Sequence, residues 1–162
     1  MSTELEELYQ QVILDHSRRP RNFGVLANAD VLVHGHNPAC GDEIHLGVHF
    51  SADGKLDEIK FSGHGCAISQ ASASMMTLKL KGKTRSEASQ LAAAFHDLVT
   101  GTVPASAASS ETVFPKLGDL QLLQGVRKFP QRVKCAMLAW CAAEQALAQT
   151  AAESTVSTET ES

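Results

Sequence analysis

The sequence contains no apolar run approaching the ~20 residues that a bilayer-spanning helix needs, which argues against a membrane protein. It also has no dense basic stretch: 14 Lys and Arg stand against 18 Asp and Glu, for a net charge of −4. Phosphate tracking along a nucleic acid is therefore not expected. Met1 to Glu7 is acidic and polar where a secretory leader would be basic and then apolar, so a cytoplasmic location is expected. Neither Cys-x-x-Cys nor His-x-Glu occurs, which argues against a zinc hydrolase or deaminase. No internal repeat is visible, and only four cysteines occur in 162 residues.

Those cysteines carry most of the functional information. In a reducing compartment, scattered cysteines serve as metal ligands or reactive thiols more often than as disulfides. Cys40 and Asp42 lie in Asn37-Pro38-Ala39-Cys40-Gly41-Asp42, Cys66 in Gly63-His64-Gly65-Cys66, and Cys135 follows Arg132-Val133-Lys134. Read together, Cys40, Asp42, Cys66 and Cys135 form one candidate metal site assembled from three distant segments. On spacing alone, four unrelated buried thiols are the alternative.

Periodicity supplies the frame. Leu5, Leu8 and Val12 mark a first helix over residues 4–17, closed by Pro20. Three short β-rich runs follow, Asp30 to His36, Glu43 to Phe50 and Leu56 to Gly63, the last two joined by a turn at Ala52-Asp53-Gly54-Lys55. Ile44, Leu46, Val48 and Phe50 alternate, as in a sheet covered on one face. From Cys66 the pattern becomes helical, with Ile68, Ala71, Met75 and Leu78 as its apolar face, up to Gly82. Thr84 and Glu87 form a capping box for another helix that runs to about Val99. Residues 100–123 read as an inserted loop, with a short helical turn expected within Leu117 to Gly125. A last helix starts near Pro130 and runs to about Gln149, with Val133, Met137, Trp140 and Leu147 facing the core. The expectation is a single α+β domain over 1–149, with a small three-stranded antiparallel sheet packed on one side by helices. The acidic segment 150–162 is expected to be disordered.

Cysteine binds metal as thiolate, and the unpaired N–H groups of a helix N-terminus, where Cys66 falls, stabilise that form. Gly41, Gly63 and Gly65 let the backbone come close to a metal or a partner. Three thiolates and one carboxylate around a divalent ion carry a formal charge of about −2, which nearby cations must offset. Arg132 and Lys134 are the candidates. Sulfur-rich ligation fits Zn²⁺, with Fe²⁺ or an iron–sulfur cluster as the alternative. A purely structural zinc site uses Cys and His, so the carboxylate of Asp42 points to exchangeable ligation. Cys141 lies about 240° around the last helix from Cys135 and is read as a packing residue. His34 with His36, and His45 with His49, share strand faces and are read as packing or surface residues. His64, beside Cys66, is either structural or a support for the metal site.

Four segments together resemble the U-type iron–sulfur cluster assembly proteins of the IscU/NifU-like family: residues 9–24, the Asn-Pro-Ala-Cys-Gly-Asp segment, Gly63 to Ser69, and Gly125 to Ala136. Within that family the chain is more similar to the SufU branch. Scaffold-type members carry a histidine just before the last cysteine and a Leu-Pro-Pro-Val-Lys chaperone-recognition motif; here the residue is Lys134 and the motif is absent. The insertion before the last helix is also a SufU trait, although its Ala/Ser-rich part and the acidic tail depart from the pattern.

The resemblance implies a zinc protein with Cys40, Asp42, Cys66 and Cys135 as ligands. Such a protein accepts persulfide sulfur from a SufS-type cysteine desulfurase, a sulfurtransferase-like activity, and passes it toward a SufBCD-type scaffold. It further implies that a desulfurase histidine takes over one zinc position and releases Cys40 as the sulfur acceptor. From its charge, Arg132 is expected to guide the persulfide, apart from the resemblance. A scaffold that assembles a [2Fe–2S] cluster on the same ligands is the alternative.

Overall fold

A computed structural model describes residues 3–38, 41–100, 120, 123, 126, 129–148 and 153–157. The elements run α1 (Thr3–Arg18), β1 (Val31–Asn37), β2 (Asp42–Phe50), β3 (Leu56–His64), α2 (Ala67–Leu80), α3 (Arg85–Thr100), α4 (Pro130–Ala148) and β4 (Glu153–Ser157). Strands β3, β2 and β1 form the expected antiparallel sheet, and the helices pack on one side of it. Helix α2 lies over β3, and α4 over β1 and β2, while α1 and α3 flank this pair from outside.

Strand alternation fixes which face is covered. Val31, Val33, Ile44, Leu46, Val48, Ile59 and Phe61 point into the core, and His36, Glu43 and His45 point away from it. Phe50 was expected to continue the inward row but is only half-buried. Phe50 still packs against the core, at its edge, where the register shifts between His49 and Phe50 and the Arg85 guanidinium lies 3.9 Å from the Phe50 ring. The turn after it behaves as read: Ser51 N–H donates to the Lys55 carbonyl at 2.8 Å, and Gly54 adopts the φ of +85° that favours glycine.

Helix α2 departs from the expected single apolar stripe. Residues 71–77 are all buried, whereas Leu78, assigned to the core face, is 52% exposed. The helix sits between α1, α4 and β3, so it needs small side chains all round, and its Ala and Ser residues meet that need. The serines and threonine are satisfied internally. Ser72 donates to the Ala136 carbonyl at 2.6 Å and accepts from the Trp140 indole N–H at 3.2 Å. Ser74 accepts from the Arg21 backbone N–H at 2.8 Å and lies 2.7 Å from His16 Nδ1.

Two further expectations meet the structure near the C-terminal half. The capping box is present: Glu87 N–H donates to Thr84 Oγ1 at 3.1 Å, and Thr84 N–H to Glu87 Oε1 at 3.0 Å. The hydrogen bond from Thr84 N–H holds the Glu87 carboxyl below the usual range. Within the tail expected to be disordered, residues 153–157 instead form β4, parallel to β1. The edge of β1 away from β2 offers N–H and C=O groups with which a neighbouring segment can pair. Most of the 100–123 insertion and the rest of the tail lie outside the described residues. Leu120, Leu123 and Val126 are described, buried in tight helical turns at the spacing of three that such turns align on one side. Among the described residues, no helix is long and apolar enough to cross a membrane.

Candidate metal centre

Three of the four expected ligands meet at one end of the sheet. Asp42 is the first residue of β2, Cys66 the N-cap of α2, and Cys135 lies in the second turn of α4. Their ligand atoms all lie within 4.8 Å of one another. Asp42 and Cys135 are buried to 1% exposure, whereas Cys66 is half-buried. Cys40, the fourth expected ligand, lies outside the described residues.

Local structure aims each group. Cys66 takes the place that Ser, Thr or Asp usually holds at a helix start, with extended backbone (φ −71°, ψ 170°), and its sulfur accepts from Ser69 N–H at 3.5 Å. Its own N–H donates to Asp42 Oδ1 at 3.0 Å, which ties the start of α2 to the start of β2. The second oxygen, Asp42 Oδ2, is buried and meets no hydrogen-bond donor among the described residues. A buried carboxylate oxygen without a donor is costly, and a bound cation removes that cost. The donor set, one carboxylate and two sulfurs, fits a borderline-soft divalent ion such as zinc. Asp42, Cys66 and Cys135 can therefore hold a metal ion.

Gly63 and Gly65 act by leaving space for the chain's own Glu43 and Asp42. A Cβ on Gly65 would stand 2.6 Å from Asp42 Oδ1, and one on Gly63, where φ is +129°, would collide with the Glu43 carbonyl. Gly41, at φ +74°, closes the β1–β2 connection by donating its N–H to the Asn37 carbonyl at 2.9 Å.

Sequence reasoning missed Asn37. This fully buried residue ends β1, and its side-chain amide donates to Cys135 Sγ at 3.8 Å. Such a donor stabilises thiolate character on the sulfur and fixes its direction. The available signal was a polar residue at the end of the inward-facing row Val31, Val33 and Gly35.

Other candidates separate from the cluster. His64 is exposed, with Nε2 3.4 Å from Glu43 Oε1, and is not one of the converging ligands. Cys141 packs half-buried against the core, as read. Arg132 is exposed and Lys134 half-buried on the first turns of α4.

Comparison with known proteins agrees with this architecture. Residues 8–136 match the family described as NifU-like N terminal domain. The zinc-dependent sulfurtransferase SufU of Bacillus subtilis is 43% identical over 148 residues, covering 91% of this chain and 95% of that protein. The iron–sulfur cluster assembly scaffold protein IscU of Streptococcus pyogenes is 44% identical over 149 residues, covering 92% of this chain and 88% of that one. Among solved structures, a candidate iron–sulfur cluster assembly scaffold protein for the SUF system from Fervidobacterium islandicum superposes with a TM-score of 0.75 at 35% identity. That match covers 87% of this chain and 97% of the other.

Proposed function

We propose that this chain, which belongs to the family of NifU-like N-terminal domains, is a zinc-dependent sulfur acceptor that takes persulfide sulfur from a SufS-type cysteine desulfurase. It serves iron–sulfur cluster assembly in the cytoplasm and delivers toward a SufBCD-type scaffold, without nucleic acid or membrane. The observation that carries the reading is the buried Oδ2 of Asp42, without a hydrogen-bond donor among the described residues, beside Cys66 and Cys135. Its support from relatives is the sulfurtransferase of Bacillus subtilis, matched along nearly its whole length.

Cys40 completes the ligand set and is the acceptor. Its thiolate attacks the outer sulfur of the desulfurase persulfide; a new S–S bond forms, the old one breaks, and the desulfurase cysteine leaves as thiolate. No net oxidation occurs. Zinc, when bound, keeps the cysteines deprotonated at neutral pH. Asp42 and Cys66 are joined through backbone and side chain, so they hold one half of the site while Asn37 steadies Cys135. Arg132 and Lys134 offset the negative charge of the site, and unchanged metal affinity and sulfur transfer after replacing both would remove them from this role.

The direct test is Cys40→Ala added to a SufS-type desulfurase with cysteine as substrate. Stimulation of sulfide release should vanish, and full stimulation by the variant would overturn the reading. A scaffold role is favoured by the resemblance to the Streptococcus pyogenes protein. Reconstitution with iron and sulfide separates the two: retained zinc without a stable cluster spectrum supports the acceptor, and a stable [2Fe–2S] spectrum supports the scaffold.

A further inference from the structure

The face of the sheet turned away from the helices carries a second group of metal-ligating side chains. Strand register sets His34 of β1 directly opposite His45 of β2. Their Nδ1 atoms are 2.6 Å apart, with the rings nearly edge-to-face at 75°. At that separation one ring donates an N–H to the lone pair of the other, so two imidazole nitrogens already face a common point. His45 is exposed and His34 half-buried, so an ion can reach them from solvent.

From these positions we infer that His34 and His45 form a second, solvent-facing site for a borderline divalent cation such as Zn²⁺ or Ni²⁺, independent of the buried cysteine centre. Metal–nitrogen bonds of about 2.0–2.1 Å at a tetrahedral angle require nitrogens about 3.4 Å apart, so the pair opens by less than about 1 Å to admit an ion. Side-chain rotation of the exposed His45 ring supplies that movement. The ring that donates in the pair shifts its hydrogen from Nδ1 to Nε2 by exchange with water, so both Nδ1 lone pairs are freed with no net release of a proton. Water completes the coordination.

Among the described residues no third side chain converges on the pair, so the protein offers two ligands here, with further ligating residue types one row away. In the next row His36 lies opposite Glu43, and Glu43 lies opposite His64, so an imidazole, a carboxylate and another imidazole line one side of the pair. On the other side Gly47 is covered by Leu26, Ala29 and Leu32, with Lys60 opposite it, and this end of the face is closed. The open end is therefore the end that holds Asp42 and Cys66. Because neighbouring strand residues point to opposite faces, Glu43 belongs to the outer histidine row and Asp42 to the inner centre. The two sites lie back to back across one strand.

The test uses the full chain already carrying one equivalent of zinc, titrated with Ni²⁺ while the histidine ring signals are followed by NMR. One further equivalent should bind, broadening the His34 and His45 resonances first. His34→Asn and His45→Asn should each weaken this binding by about tenfold or more without altering the zinc content. His96→Asn, on the exposed surface of α3, should leave it unchanged. The inference is overturned if no second equivalent binds, if other histidines broaden first, or if the His34 and His45 variants bind nickel as the original chain does. Loss of binding in the His96 variant would likewise overturn it. Zinc content is read separately, so a failure of the cysteine centre is told apart from a failure of this site.

Discussion

Helix α2 connects two buried polar regions that differ in one respect. Toward its middle and C-terminal end, Ser72, Ser74 and Thr77 are fully buried and each has partners: Ser72 with Ala136 and Trp140, Ser74 with Arg21 and His16, Thr77 with Ser74 and Asn22. At its N-terminal end, Asp42 is as deeply buried but leaves one carboxylate oxygen unpartnered among the described residues, beside two sulfurs. The first region is closed by the protein alone and reads as structure. The second leaves, among the described residues, a buried acceptor beside two sulfurs that a bound cation can satisfy, which marks it as a site.

If that distinction is correct, substitutions in the two regions should have separable effects. The largest is expected at Trp140, which is fully buried, stacks on Phe95 at 4.7 Å and donates to Ser72. Trp140→Ala should cost about 3–5 kcal/mol in chemical denaturation. Ser74→Ala removes the shared partner of His16 and Arg21 and should cost about 2 kcal/mol, with metal affinity unchanged. Gly65→Ala should show the opposite profile. Its new methyl group meets Asp42, so metal affinity in a competition titration should fall about tenfold, ~1.4 kcal/mol, with a smaller change in the metal-free melting temperature than Ser74→Ala produces. A Ser74 variant that loses metal, or a Gly65 variant that only loses stability, would erase the distinction.

The smallest effect belongs to the capping box, remote from both regions. Thr84→Ala should cost about 1 kcal/mol. The pH dependence has a defined sign. The Glu87 carboxyl is held below its ordinary value by Thr84 N–H, so its contribution is complete above the ordinary carboxylate range and is lost as pH falls through the lowered folded value. The stability difference between the original chain and Glu87→Gln should accordingly be present at neutral pH and shrink in strong acid.

Local rules were the most legible part of the sequence. Strand alternation, the glycine turn at 51–55, the Thr84–Glu87 box and Cys66 at a helix start each depend on neighbours a few residues apart, and each is found in the structure. What could not be read depends on packing between distant segments. Leu78 faces solvent because three elements surround the other sides of α2, and no helical period encodes that. Phe50 ends the inward row only half-buried, at a register shift set by pairing with β3. Strand β4 arises because β1 offers an open edge, a property of the assembled sheet. At the site, Asp42, Cys66 and Cys135 were legible by residue type, whereas the contact from Asn37 to Cys135 spans 98 positions and needed the fold. The histidines of β1 and β2 read as packing or surface residues, and only the register makes His34 and His45 a pair.

X-ray absorption at the zinc edge of the purified full-length chain tests the ligand assignment most directly. Three sulfur neighbours and one light-atom neighbour are expected, from Cys40, Cys66, Cys135 and Asp42, with one sulfur lost in Cys40→Ala. A nitrogen-rich shell, or an unchanged sulfur count in Cys40→Ala, would contradict it.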